Sequence, residues 1–291
     1  MRIKPPLWNV SPFLVDPKWS WIKNAFYIPM LGSAPHKGTF VTGEGRGLAT
    51  PLVAGTVTES LSSVGRGAKF DGNAVGHGMT TGIVPHFNAV SAIVVVKLTA
   101  LAADLQYYEI IAQGSTFANE TAFTFNLRQS GSGNSKTNLL LFNKHSGTIR
   151  GIASVAGLTS DDLKVGSVAV YGFSYDGLNG AIYIDGFPIS MQAPSPGQIA
   201  ISNITSTYPL TLGSGSNQTS SSRSWNGDIY GAIIAHDQYW TDAQHAQLAS
   251  DPFGPVTMAD DYPAWMPVPV SSIPFPPLFH RDVESRTRLR M

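Results

Sequence analysis

With 291 residues the chain is long enough for one large β-domain or two ordinary domains. Its formal charge is zero and only 13% of its residues are charged, against a usual share of about 25%, so nothing in the overall charge draws it to nucleic acid or an anionic membrane. It has no cysteine, which excludes disulfides, thiolate metal sites and a cysteine nucleophile.

The N-terminus Met1-Arg2-Ile3-Lys4-Pro5-Pro6 lacks the uninterrupted apolar stretch of a secretory signal. The longest apolar run, Ala89 to Val96, falls well short of the ~20 residues that cross a bilayer. The expectation is a protein made and released without cleavage, with secretion as the alternative. Residues 1–35 combine Trp8, Trp19 and Trp21 with Phe13, Phe26 and Tyr27, broken by Pro5, Pro6, Pro12 and Pro17. Proline at that density favours extended segments, and each ring offers on the order of 150–250 Å² to bury. This reads as an arm that covers either its own domain or a neighbouring subunit.

From residue 36 short strands follow one another. Gly67–Gly72, Ala92–Val96 and Ile110–Gly114 come first, then a hairpin of Ala122–Arg128 with Asn138–Phe142 around a Gly/Ser loop. Ser167–Ser174 alternates, placing Val168, Val170 and Gly172 on one side. Ala181–Ile184 is a strand between the turn signals Asp176-Gly177, Asn179-Gly180 and Asp185-Gly186. Next come Tyr208–Gly213, Trp225–Ala235 and Tyr239-Trp240. Thr241–Ser250 is the best helix, with Thr241 or Asp242 as its N-cap and Pro252 beyond its end. After Val256 the sequence alternates Pro263, Pro267, Pro269, Pro274, Pro276 and Pro277 with apolar residues that include Trp265, Phe275 and Phe279. That is a second strap, 256–291, of polyproline or edge-strand character.

The order of these strands, and above all the succession from Tyr175 to Pro255, closely resembles the concanavalin A-like, or laminin-G-like, jelly-roll family over roughly residues 40 to 255. The resemblance implies an all-β, antiparallel jelly-roll sandwich (36–255) with extended N- and C-terminal arms (1–35 and 256–291). The ending Asp251-Pro252-Phe253-Gly254-Pro255 is similar to that of tailed-phage virion structural proteins built on this fold. It implies a virion component, for capsid decoration or in the tail or fibre, made in the host cytoplasm. Such a protein joins other virion proteins and copies of itself through its arms, and Trp8, Trp19, Trp21, Trp265, Phe275 and Phe279 are its candidate assembly residues.

Chemistry is sparse. A glycosidase needs two carboxylates facing one bond, whereas Glu44, Glu59, Glu109, Glu120 and Glu284 stand isolated, so no enzyme is expected. No cofactor is expected either; the one exception is calcium at Asp161-Asp162 or Asp260-Asp261, where Asp161-Asp162 reads better as a turn cap. Asp71, Asp176 and Asp185 precede glycines and read as turn residues. The competing function is carbohydrate binding, as a module or as a host-adsorption protein recognising host glycans. Trp225 beside Asn226 and Asp228, or else Tyr239 and Trp240, would supply the aromatic platform and polar partners. Core packing is the favoured reading for Trp225.

Overall fold

A computed structural model of the chain describes residues between Trp19 and Pro255, apart from 20, 23–24, 30–37, 40–47, 52–56, 63, 73–76, 82–83, 102–106, 115–117, 130–136, 193–195 and 216–221. The strands, in order, begin with β1 (Ala25–Pro29), β2 (Gly38–Thr39), β3 (Leu48–Pro51), β4 (Thr58–Ser62), β5 (Gly65–Asp71) and β6 (Met79–Thr80). They continue with β7 (Val90–Leu98), β8 (Tyr107–Gln113), β9 (Thr121–Gln129), β10 (Thr137–His145), β11 (Thr148–Leu158) and β12 (Val168–Tyr175). The last are β13 (Gly180–Ile184), β14 (Phe187–Gln192), β15 (Leu210–Leu212), β16 (Ser222–Arg223) and β17 (Asn226–His236), followed by the helix α1 (Asp242–Ser250).

The strands form the expected sandwich. Among the described residues one sheet has eight strands in the order β14-β13-β12-β7-β17-β5-β4, with β1 also on β17; the other has nine, β11-β10-β9-β8-β15-β6-β3-β2, with β16 on β8. Among the described residues every pairing is antiparallel except the short β16–β8 pair. Period-two alternation explains the layers: Val90, Ala92, Val94, Val96 and Leu98 of β7 face Phe123, Phe125 and Leu127 of β9 and Leu139 and Leu141 of β10 across one apolar core. Turn chemistry sets the registers. At the β13–β14 turn, Asp185 and Gly186 have φ of 50° and 81°, the two left-handed residues of a hairpin whose twist matches its strands. Ser146 and Gly147, with φ of 49° and 75°, do the same between β10 and β11.

Along β7 the second face of the eight-stranded sheet is buried too, at Ser91, Ile93 and Val95, which is why β7 reads as a continuous apolar run. Helix α1 packs against β7 and β14. Its N-cap is Thr241, in a capping box with Gln244: the Gln244 amide donates to Thr241 Oγ1 (3.3 Å) and the Thr241 amide to Gln244 Oε1 (2.8 Å). From α1, His245 drops into the sheet. Its Nε2 lies 2.9 Å from Ser174 Oγ, its ring stacks on Tyr183 with centroids 3.8 Å apart, and a Cβ on Gly172 would come 2.9 Å from its Nδ1. Ser91 Oγ, 2.8 Å from Ser174 Oγ, accepts the Trp240 amide at 2.9 Å.

Part of the stretch read as an N-terminal arm packs on the sandwich. β1 extends the sheet along β17 from Ala25↔Ala235 to Pro29↔Gly231. Trp19 is buried, and Trp21 stands edge-on to Trp240 with centroids 5.7 Å apart. Residues 16–255 form one compact unit, in which Trp19 and Trp21 pack on their own sandwich. Folding back onto the sheet removes the apolar area of these rings from water. Trp8, Trp265, Phe275 and Phe279 lie outside the described residues.

Candidate functional site

An open cleft of about 540 Å³ lies where β4, β5, β17 and β7 run side by side, lined by Ser60, Leu61, Lys69, Lys97, Thr99, Gly166 and Asp228. Strand register builds it. Asp228 pairs with Lys69 of β5 on one side and with Lys97 of β7 on the other, so the three side chains form a row on the sheet's outer face while Ile229, Ala68 and Val96 point into the core. Opposed residues on adjacent strands hold their Cβ atoms about 5 Å apart; the carboxylate therefore sits between the two lysines.

The buried Tyr230 holds Asp228 in place. The Tyr230 hydroxyl donates to Asp228 Oδ2 at 3.1 Å, and the Ser60 and Ser62 hydroxyls hydrogen-bond to the Tyr230 oxygen. Burial, opposed by those serines and reinforced by the Asp228 carboxylate, pushes the Tyr230 phenol up, so it stays a neutral donor. The ring fits because Gly67 lies beneath it: a Cβ there would come 2.6 Å from Tyr230 Cδ1. On the rim, the Thr99 amide donates to the Asn226 carbonyl (2.8 Å) and the Gly166 amide to the Leu98 carbonyl (2.8 Å). Leu61, 74% exposed, supplies an apolar wall. The cleft thus offers hydroxyl and ammonium donors, one fixed carboxylate acceptor and one apolar surface, which is the inventory needed to hold a small polar molecule with an apolar face.

The two aromatic groups suggested by sequence do not assemble into a platform. They sit at opposite ends of β17, an eleven-residue strand that spans on the order of 35 Å. Trp225 is fully buried in the core, edge-on to Tyr171 at 6.2 Å, with its indole N–H donating to the Asp228 carbonyl at 3.3 Å. Trp240 is buried as well. Its indole N–H donates to Gln238 Oε1 at 3.1 Å. Tyr239 is half-exposed, and its partial burial, with help from the charges of Asp176 and Asp242, pushes its phenol up to about 12. Asn226 lies against Gly72 and outside the cleft. Of the five residues only Asp228 lines it. Lys69, Lys97, Ser60 and Thr99 carry no local motif; the signal that marks them is the register on either side of β17, which no short window of sequence contains.

Of the acidic turn residues, Asp176 bonds nearby amides as read, whereas Asp185 reaches across to β12. Asp176 Oδ1 accepts the Leu178 and Asn179 amides at 2.7 and 2.6 Å, and Asp185 Oδ1 accepts the Val170 amide at 2.9 Å. Asp162 Oδ2 accepts the Thr159 amide and hydroxyl at 2.8 and 2.7 Å; those bonds hold the Asp162 carboxyl below the usual carboxylate range. Among the described residues no three His, Asp or Glu side chains gather as metal ligands. Asp260-Asp261 lies outside them. No described helix is long and apolar enough to cross a membrane.

No protein-family model and no curated protein matches the sequence. Solved structures share its architecture. Domain 4 of AbnA, a GH43 extracellular arabinanase from Geobacillus stearothermophilus solved with arabinotriose, superposes with a TM-score of 0.53 at 20% identity, over 78% of this chain and 98% of that one. The binding domain of Paraclostridial Mosquitocidal Protein 1 gives 0.55 at 11% identity, over 78% and 52%. Trypanosoma rangeli sialidase in complex with sialic acid gives 0.52 at 9%, over 80% of this chain but only 33% of that one. At such identities the likeness is one of fold, and function has to be argued from the site.

Proposed function

We propose that this sandwich is a non-catalytic carbohydrate-binding domain and that the cleft around Asp228 is where it binds. The observation that carries the reading is the cleft itself, in which a carboxylate fixed by Tyr230, the side chains of Ser60, Thr99, Lys69 and Lys97 and the apolar Leu61 meet in a space of about 540 Å³. A sugar ring has hydroxyls for the first group and an apolar face for the second. The AbnA domain, solved in complex with arabinotriose, supports the same class of ligand. Among the described residues Asp228 is the one carboxylate lining the cleft, whereas glycoside hydrolysis takes two, roughly 5–10 Å apart; this favours binding over cleavage.

A cleft-filling substitution tests the reading. Thr99 is exposed on the rim, and Thr99→Trp places an indole in the cavity without disturbing the core. On a glycan array the unchanged chain should retain a defined set of oligosaccharides, and the variant should lose them at least ~10-fold, the effect of removing about 1.4 kcal/mol of contact. An array blank for the unchanged protein, or a variant that binds as before, would remove this site from consideration.

We propose further that the segments beyond the compact unit, 1–15 and 256–291, attach the domain to a larger assembly. The assembly in view is a tailed-phage virion, on which the sandwich would serve as a glycan-recognising adsorption element; the support for that placement is the sequence resemblance alone. A chain trimmed to 16–255 should keep its glycan signal and lose self-association in sedimentation. Unchanged self-association after trimming would count against the arms.

A further inference from the structure

We infer that the carbohydrate held in the cleft is anionic, a sugar bearing a carboxylate or a sulfate, with Lys69 and Lys97 as the groups that select the charge. The inference rests on the reading of the cleft as a glycan site. Lys69 and Lys97 stand on the two strands flanking β17, so their backbones are about 10 Å apart across Asp228. Among the described residues no ion pair joins either of them to an acid, and the Asp228 carboxylate accepts from Tyr230. Two lysines against one carboxylate leave a local positive excess in a chain whose formal charge is zero and whose charged residues are few. That excess belongs to this cleft and not to the molecule as a whole.

The chemistry follows from the order in the row. A neutral sugar would use Asp228, Ser60 and Thr99 and gain little from two ammonium groups. A carboxylate or sulfate on the ring accepts charge-assisted hydrogen bonds from one or both lysines, while a neighbouring hydroxyl donates to Asp228. The central carboxylate also discriminates among anions. It repels a small ion or an unbroken run of phosphates seated over the middle of the row, and it rewards a ligand that presents a hydroxyl there and its charge to one side.

The test uses matched pairs of probes on the full chain, titrated calorimetrically: an oligogalacturonate against its methyl ester, and a sulfated galactan oligosaccharide against its desulfated form, with inorganic sulfate as control. In at least one pair the charged member should bind ~10-fold or more tightly than the neutral one, by a margin that shrinks as salt rises. In the Lys69→Gln/Lys97→Gln double variant the preference should fall to near unity with an unchanged melting temperature. Charged and neutral members binding alike, both sensitive to Thr99→Trp, would overturn the anionic preference and leave the carbohydrate site standing. Binding of no probe, or binding indifferent to Thr99→Trp, would overturn both. Inorganic sulfate competing as well as the sulfated oligosaccharide would reduce the site to a simple ion contact.

Discussion

Trp225→Ala should cost the sandwich about 3–5 kcal/mol, the range for deleting a fully buried large aromatic side chain, out of a total stability of about 5–15 kcal/mol for a domain. The ring is completely enclosed, meets Tyr171 edge-on and sits in the same apolar cluster as Phe70, Leu98 and Ile229. Truncation empties a space that neighbouring strands cannot close, since β17 is held between β5 and β7. It also removes the indole N–H from the Asp228 carbonyl, so loss of stability and loosening of the cleft floor should appear together. Urea unfolding followed by circular dichroism measures the first directly. A variant destabilised by less than ~1 kcal/mol that had lost its glycan signal would show the ring to be a platform after all.

Acid should weaken the fold through His245. Burial lowers its imidazole to about 3, while in the unfolded chain it titrates near 6.5. As pH falls below that value the unfolded state takes up a proton and the folded state does not. The contribution of a neutral, buried His245 is therefore complete above pH 6.5 and declines toward pH 3, at about 1.4 kcal/mol per pH unit. Asp237, lowered through the Asn88 amide and side chain and His236 against an opposing burial effect, adds to acid lability at lower pH. For that reason the difference between the unchanged protein and His245→Gln is the informative quantity. At pH 7 the variant should be the less stable, having lost the stack on Tyr183. By pH 4 the difference should have moved about 3 kcal/mol in the variant's favour. Parallel stability curves for the two proteins would mean that His245 is hydrated and titrates normally.

Where a structural decision depends on neighbours in sequence, it could be read in advance. Thr241 caps α1 because its hydroxyl and Gln244 lie one helical turn apart. Asp185-Gly186 turns β13 into β14 because those two residues tolerate positive φ. The Ala122–Arg128 and Asn138–Phe142 hairpin pairs as its alternation requires, Leu139 opposite Leu127 and Leu141 opposite Phe125. The same local view missed β1, because proline and aromatic density at the N-terminus reads as an arm until β17 is present to pair with it. Of the two alternative glycan contacts it offered, each had its tryptophan buried, Trp225 and Trp240 alike.

Alternation, turn residues and capping by themselves determined that this chain is an all-β sandwich with one surface helix, and the scarcity of paired acids pointed away from hydrolysis. Only the tertiary structure decided which strands lie beside β17, and hence that Lys69 and Lys97 flank Asp228 while two tryptophans with the look of binding residues are spent on packing. The reason is physical: side-chain alternation is a property of one strand, whereas register is a relation between strands that core packing selects and a single-residue slip would invert.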